Sequence, residues 1–433
     1  MPTYSIDEYT PHPGQLELHR ADDKEILVVS SIRAGKSYGI IFDAIVSAWN
    51  NPTDWGTLIT APTYRLVDSV LERPIVNKLL AMNLLKDHSF SRHESTLKNG
   101  KVVYYRSLDD PDLALRGLNI QKAYIDEAAY CSKYAVDVVK GRLLTSNGQL
   151  IMITTPNGQT SWMYDEYIAS RKAYTKYIKF KLTDNPIITT AAIERLYESY
   201  DPLLAKQELE GEWVNLFANQ VYYAFSDDNI GNYSSSPDEQ IYIGLDFNID
   251  KNAWVAIQRQ ANNTFKVVRE GYGDKTTADV AKTLISTYSS YSTTPIVIPD
   301  ATGQNRLQGT GKTNFQLLRQ AGVHNVVEKR SNPHRQDRFA NLNATFLNAL
   351  NQRRLFIDKE ACPRLIRELR ELSYKANTSK VDDKGGEIGH MADALGYAIM
   401  HLTGKSVGKV VNESNNFIDD FKARKRAYDT FSI

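Results

Sequence analysis

The sequence predicts an α/β architecture in two successive domains. In the first half, continuous apolar strands alternate with longer helical stretches, the pattern of a mostly parallel sheet covered on both faces. A stretch rich in Ser, Asp, Asn and Gly (226–239, SDDNIGNYSSSPDE) then interrupts the pattern, and a second strand-and-helix series follows it. A length of 433 residues fits two domains, and a chain 42% hydrophobic and 24% charged has enough apolar material for full cores.

Taken in order, EILVVS (25–30) reads as a buried strand and 35–49 as a helix. GTLITA (56–61) is a second strand, followed by a helical stretch over 64–80. KAYIDEA (122–128) and QLIMITT (149–155) complete the strands of the first half. From 185 to 213 the pattern is helical and polar, punctuated by Pro186 and Pro202. The second series has strands at IYIGLDF (241–247), AWVAIQR (253–259), NTFKVVREG (263–271) and PIVIPD (295–300). Its helices are expected around 277–290, 313–321, 337–351 and 389–402. The last residues, 410–433, are polar, carry KARKR (422–426) and read as a tail.

Composition excludes several classes. Cys131 and Cys362 are the two cysteines, far apart and without metal-ligand spacing. A disulfide framework and a thiolate zinc site are therefore not expected, and a reducing compartment fits. No apolar run is long enough to span a bilayer, and Asp7 and Glu8 stand where a secretory signal needs basic residues, so a soluble, non-exported protein is expected. With 52 Lys+Arg against 51 Asp+Glu, global charge announces no nucleic-acid partner; local patches would have to do so.

VVSSIRAGKS places a loop between a strand and a helix and ends in Gly35-Lys36-Ser37. Backbone N–H groups of such a loop wrap phosphates, the lysine meets the β/γ oxygens and the serine hydroxyl holds Mg²⁺. The ATP-binding residues are thus expected at Ser30, Ser31, Ile32, Arg33, Ala34, Gly35, Lys36 and Ser37, with Ser30 standing where the usual first glycine would be. A second GKT, Gly311-Lys312-Thr313, follows its nearest strand too distantly for that tight turn and is expected to be an ordinary basic loop. Asp126 and Glu127 end a buried strand. The first suits Mg²⁺ held with ATP, and the second suits a group that orients or deprotonates the attacking water. ITTPNG (153–158) ends another strand in small polar residues that can sense hydrolysis.

Together these motifs resemble the large subunit of the viral terminase of tailed bacteriophages. The series comprises PHPGQLELH with Gln15, SSIRAGKS, APTY (61–64), LRG (115–117), YIDEAA (124–129), TTPNG (154–158), DNP (184–186) and EGEW (210–213). The resemblance implies that Gln15 recognises adenine, that Arg33 contacts or senses the γ-phosphate, and that Thr154, Thr155, Pro156 and Asn157 couple hydrolysis to movement. It implies an ASCE-type P-loop NTPase domain over 1–184, a helical lid or linker over 185–239, a ribonuclease-H-like nuclease domain over 240–405 and a basic tail over 406–433.

In the second half Asp246 lies in the first strand, Asp300 ends the fourth and Asp393 opens a helix. They can converge if strands one and four are neighbours and the helix packs over their ends. Such oxygen ligands suit Mg²⁺ or Mn²⁺, and two ions would serve phosphodiester cleavage. His390, three residues before Asp393, is a metal ligand, a partner of one, or an ordinary histidine; Asp250, Asp274 and Glu328 are read as solvated or structural. Between Lys329 and Arg370 basic residues outnumber acids, which would either track DNA phosphates or form a solvated face.

The expected protein is an ATPase that translocates double-stranded DNA into a procapsid and a metal-dependent endonuclease that cuts the genome. A helicase without nuclease activity and a non-catalytic portal-docking protein are the alternatives. The resemblance also implies the portal protein and the small terminase subunit as partners, and a homo-oligomeric ring without membrane attachment. It places the chain in the host cytoplasm and transiently at the portal vertex.

Overall fold

The computed structural model describes residues 9–404 except 160, 217–219, 249–250, 307–310 and 376–377. The tail with KARKR, and Asp250, lie outside the described residues. Two compact units divide the chain. Of the described residues, the first holds those up to Ile193 and Lys206–Asn215; the second holds Glu194–Ala205 and those from 216 to 404. The segment 185–239, expected as one lid or linker, is therefore shared between them. Residues 226–239 belong to the second unit, where the Asn229 amide is buried and donates to the Phe346 and Leu355 carbonyls.

The first unit is built on eight strands: β1 (Glu25–Ser30), β2 (Gly56–Ala61), β3 (Leu85–Ser89), β4 (Glu94–Leu97), β5 (Val102–Ser107), β6 (Ile120–Asp126), β7 (Gln149–Thr154) and β8 (Thr175–Phe180). Their order is β3-β4-β5-β2-β6-β7-β1-β8, with β3 and β4 antiparallel and the other six parallel. β1, β2 and β7 are buried along nearly their whole length because cores form on both faces, which is why they read as unbroken apolar runs. Helices α1 (Pro13–Arg20) and α2 (Lys36–Trp49) flank β1 in sequence. The stretch expected as one helix over 64–80 is α3 (Tyr64–Leu66), a π-helical turn (Val67–Glu72) and α4 (Arg73–Ala81). Next come α5 (Pro111–Ala114) and α6 (Lys133–Leu143); α7 (Thr190–Ser199) and α8 (Pro202–Glu208) follow in sequence and are each divided between the two units.

The second unit carries β9 (Ile230–Gly231), β10 (Ile241–Asp246), β11 (Asn252–Arg259), β12 (Phe265–Asp274), β13 (Ile296–Pro299) and β14 (Leu355–Asp358) in the order β13-β10-β11-β12-β14-β9. β10 pairs antiparallel with β11 and parallel with β13, so the ends of β10 and β13 lie side by side. Its helices are α9 (Thr277–Tyr288), α10 (Asn314–Gln320), α11 (Arg335–Phe346), α12 (Pro363–Glu371) and α13 (His390–Thr403). α13 lies directly on β10 because Gly244 has no side chain: a Cβ there would sit 2.1 Å from the Ala394 carbonyl oxygen. Among the described residues, no helix is long and apolar enough to cross a membrane.

Candidate active sites

In the first unit, β7 runs between β1 and β6. The loop after β1, the acids after β6 and the Thr-rich end of β7 therefore open on one edge, the carboxyl ends of parallel strands where open α/β sheets bind ligands. Gly35, at φ +84°, turns the chain from the loop into α2. Arg33 also takes a left-handed φ of +57°, an uncommon conformation for a side chain of that size. The Lys36 ammonium donates to the Thr155 hydroxyl at 2.5 Å and stands 3.4 Å from Glu127 Oε1. Ser37 Oγ donates to Asp126 Oδ2 at 2.9 Å. The Thr154 hydroxyl accepts from the Ala129 N–H, and the Asn157 amide donates to the Ala129 carbonyl, tying the end of β7 to the turn after Glu127.

Glu127 itself is left-handed, at φ +51°. Non-glycine residues persist there only where the surroundings over-determine them, and they cluster at working sites. Its Oε2 is buried without a hydrogen-bond partner, an acceptor that a water can fill. Burial, reinforced by the neighbouring Glu127 charge, pushes the Asp126 carboxyl up to about 6.

Several contacts on the loop after β1 come from outside the P-loop motif. The His12 ring donates from Nε2 to the Ala34 carbonyl at 2.8 Å, and the Asn185 amide donates to the Arg33 carbonyl at 2.7 Å. The Ile32 N–H donates to the Glu208 carbonyl at 2.8 Å. His12 and Asn185 stand within PHPGQLELH and DNP without a role that spacing could assign them, and Glu208 lies in no motif. Gln15 is buried, and its amide is already engaged, donating to the Gly35 carbonyl and accepting from the His12 N–H. Thr313, in the second GKT, caps α10 and accepts from the Gln316 N–H, so that segment opens a helix in an ordinary way.

In the second unit the side-by-side ends of β10 and β13 bring Asp246 and Asp300 together, and the first turn of α13 adds Asp393. Each acid has a protein partner. Asp246 Oδ2 accepts from Asn248 at 2.6 Å and lies 3.0 Å from His390 Nδ1. Asp300 Oδ2 accepts from the Thr302 hydroxyl at 2.7 Å. Asp393 Oδ1 is 3.0 Å from Arg338 Nη1. Burial, with a contribution from the Asp246 charge, pushes Asp300 up to about 6 and raises Asp393 as well. The hydrogen bond to Asp246 raises His390.

The donor chemistry suits a hard divalent cation: the oxygens are carboxylate, and Asp300 Oδ1 is buried without a partner. Among the described residues, however, no three His, Cys, Asp or Glu side chains are gathered closely enough to hold an ion. Arg338 gave no signal beyond membership of the basic run. That run is partly neutralised, since Arg338, Arg353, Arg364, Arg367 and Arg370 each face an acid.

Two family models match this architecture. "Terminase large subunit, T4likevirus-type, N-terminal" matches residues 27–230, and "Terminase RNaseH-like domain" matches 243–402. The chain belongs to the large terminase family. Its two sheets are accordingly a terminase ATPase domain and a ribonuclease-H-like domain. The large terminase subunit of Thermus phage G20c is 25% identical over 181 residues, and that of Thermus virus P23-45 is 27% identical over 180. Each match takes in 37% of this chain and 36% of the relative, so the chain spans about a third of those curated relatives. The fold matches the large terminase of a thermophilic bacteriophage over a much longer span. The complex of that terminase with ADP aligns with a TM-score of 0.57 and 20% identity over 91% of this chain and 100% of that one. Its complex with ATP-γ-S aligns at 0.56 and 18%, over 90% and 98%.

Proposed function

We propose that this chain hydrolyses ATP to drive double-stranded DNA into a procapsid and cuts the concatemeric genome with a divalent-metal nuclease. The observation that carries the reading is the arrangement of Lys36, Ser37, Asp126 and Glu127 around one sheet edge. Lys36 neutralises the β/γ-phosphates, and Ser37 with Asp126 holds the Mg²⁺ that accompanies ATP. Glu127 orients the attacking water through its unengaged Oε2. Arg33 faces the γ-phosphate from the loop, and Thr154–Asn157 carry the change in charge at Lys36 into β7. That a terminase of the same fold was solved in complex with ADP and with ATP-γ-S supports a nucleotide as the ligand.

In the second unit Asp246, Asp300 and Asp393 would hold Mg²⁺ or Mn²⁺. Bound metal activates water and stabilises the leaving 3′ oxygen, two ions being the usual arrangement for this displacement. The chain's part is to hold Asp246 and Asp300 buried at adjoining strand ends with Asp393 on the helix beside them, and His390 orients Asp246. We assign the portal protein and the small terminase subunit as partners, a ring of copies as the working form, and the host cytoplasm and portal vertex as its place of action.

Two measurements on the full chain test this. ATP turnover with Mg²⁺ should be present and lost in Lys36→Ala. Plasmid cleavage with Mn²⁺ should be present without ATP and lost in Asp300→Asn. A folded chain with neither activity would leave a non-catalytic docking protein as the better account, and ATP turnover with no cleavage would favour a translocase alone.

A further inference from the structure

Arg338, on α11, is 6% exposed. Its Nη1 stands 3.0 Å from Asp393 Oδ1, and its guanidinium carbon lies 4.3 Å from the centre of the Tyr397 ring. A guanidinium does not deprotonate in a protein, so its burial requires a counter-charge. The counter-charge here is the acid trio: Asp246, Asp300 and Asp393 all lie within its electrostatic reach.

The cation is nevertheless poorly bonded. Neither Nε nor Nη1 has an acceptor in hydrogen-bond geometry, the approach to Asp393 being short in distance but not aligned. Arg364, by contrast, donates to Glu368 Oε1 and to the Glu387 carbonyl. A buried arginine kept only for stability is expected to use its N–H groups, since each left unmade costs roughly 1–3 kcal/mol. Arg338 supplies positive charge through an ion pair and a ring stack while its Nε and Nη1 stay without aligned acceptors, beside acids that are not gathered for an ion.

We propose that Arg338 is a resident counter-ion of the nuclease centre, holding Asp393 in an exchangeable ion pair that a divalent metal must displace before the acids can close around it. The proposal rests on reading Asp246, Asp300 and Asp393 as the metal site. Arg338 is then a positioning residue that acts through Asp393. It sets how much metal the centre takes up, and so keeps cutting silent in a chain that spends its time translocating DNA.

A merely structural arginine and a competing one predict opposite signs. Loss of a structural residue loosens a metal site; loss of a competitor tightens it. The test is an electron paramagnetic resonance titration of the full chain with Mn²⁺ alone, without nucleotide. The nuclease-site signal is defined as the part lost in Asp300→Asn. Arg338→Met should bind Mn²⁺ at that site at least about tenfold more tightly than the unmodified chain, the least that removing one nearby positive charge does for a divalent ion at a water-like dielectric, since the repulsion grows as the dielectric falls. Should the methionine variant fail to fold, Arg338→Gln, neutral and polar, decides the same question. Affinity equal to or weaker than that of the unmodified chain, in a folded variant, overturns the role given to Arg338. Absence of any Asp300-dependent Mn²⁺ signal in every variant overturns the metal site itself, and the proposal with it.

Discussion

Lys36 and Thr155 share a hydrogen bond of 2.5 Å, from the ammonium at the start of α2 to the hydroxyl just past β7. On the proposed function, a phosphate that draws Lys36 onto itself would compete with this bond, and nucleotide occupancy would be felt at the end of β7. Lys36→Ala should abolish ATP turnover. Thr155→Val should keep ATP binding within about threefold while uncoupling hydrolysis from DNA movement, because one modest hydrogen bond of about 1 kcal/mol is removed. Single-turnover hydrolysis alongside a translocation assay checks this; normal packaging by Thr155→Val would remove Thr155 from the coupling path.

Glu127→Gln should bind ATP normally and lose turnover by about 10²–10⁴-fold, the usual contribution of a positioned general base. The amide keeps the size and left-handed backbone of Glu127 but not the charge. Wild-type kcat in this variant would move the water-orienting role to another residue.

How far the sequence foretold these sites follows from how local each determinant is. The P-loop, the acids after β6 and the small polar end of β7 are consecutive in sequence, so their chemistry is written beside the apolar strand that positions it. The pairing of β10 with β13 was only a condition for Asp246 and Asp300 to converge, which the sequence could not decide and the structure meets. β3, β4, β5, β8, β9 and β14 were not foreseen. β3 in particular is largely exposed, with no buried face to set an apolar period. Residues 226–239 read as a linker from composition, yet the buried amide of Asn229 binds them into the second unit. His12 and Arg338 act across separations of 22 and 55 residues (393 minus 338 for the latter), where spacing carries no information.

Asp43, buried on α2, predicts an acid limit to stability. Burial alone would raise its carboxyl, but hydrogen bonds from His19, Lys122 and Tyr124 outweigh it and hold the group down to about 2, from 3.8. A depressed folded-state value means that its stabilisation is complete above about 4 and is lost as pH falls through about 2. Roughly 2 kcal/mol should disappear across that window. Urea unfolding between pH 5 and 2 should show this loss in the unmodified chain and a smaller one in Asp43→Asn. Equal slopes would mean that Asp43 titrates normally in the fold.

Gly244 predicts a defect confined to the nuclease. Alanine there places a Cβ 2.1 Å from the Ala394 carbonyl, so α13 must lift from β10 and carry Asp393 away from Asp246. Overpacking of this kind costs about 1–3 kcal/mol. Gly244→Ala should cut DNA poorly while hydrolysing ATP at the normal rate. Unchanged cleavage and melting temperature would show that the helix does not rest on that strand.

Asn185 predicts a defect confined to nucleotide binding. Its amide donates to the Arg33 carbonyl at 2.7 Å, while Arg33 holds a left-handed conformation that costs roughly 1–2 kcal/mol for a residue with a Cβ. Without that donor the phosphate loop can relax toward an ordinary backbone and must be re-formed by each incoming ATP. Asn185→Ala should therefore raise the KM for ATP about five- to thirtyfold, the equivalent of that conformational energy, with little change in kcat. Asn185→Asp should be worse, because a carboxylate cannot donate to the carbonyl and adds negative charge beside a loop built for phosphates. Steady-state ATPase kinetics on the two variants decide the matter. An aspartate variant that binds ATP as well as the alanine one would show that the Asn185 contact does not set the shape of the loop.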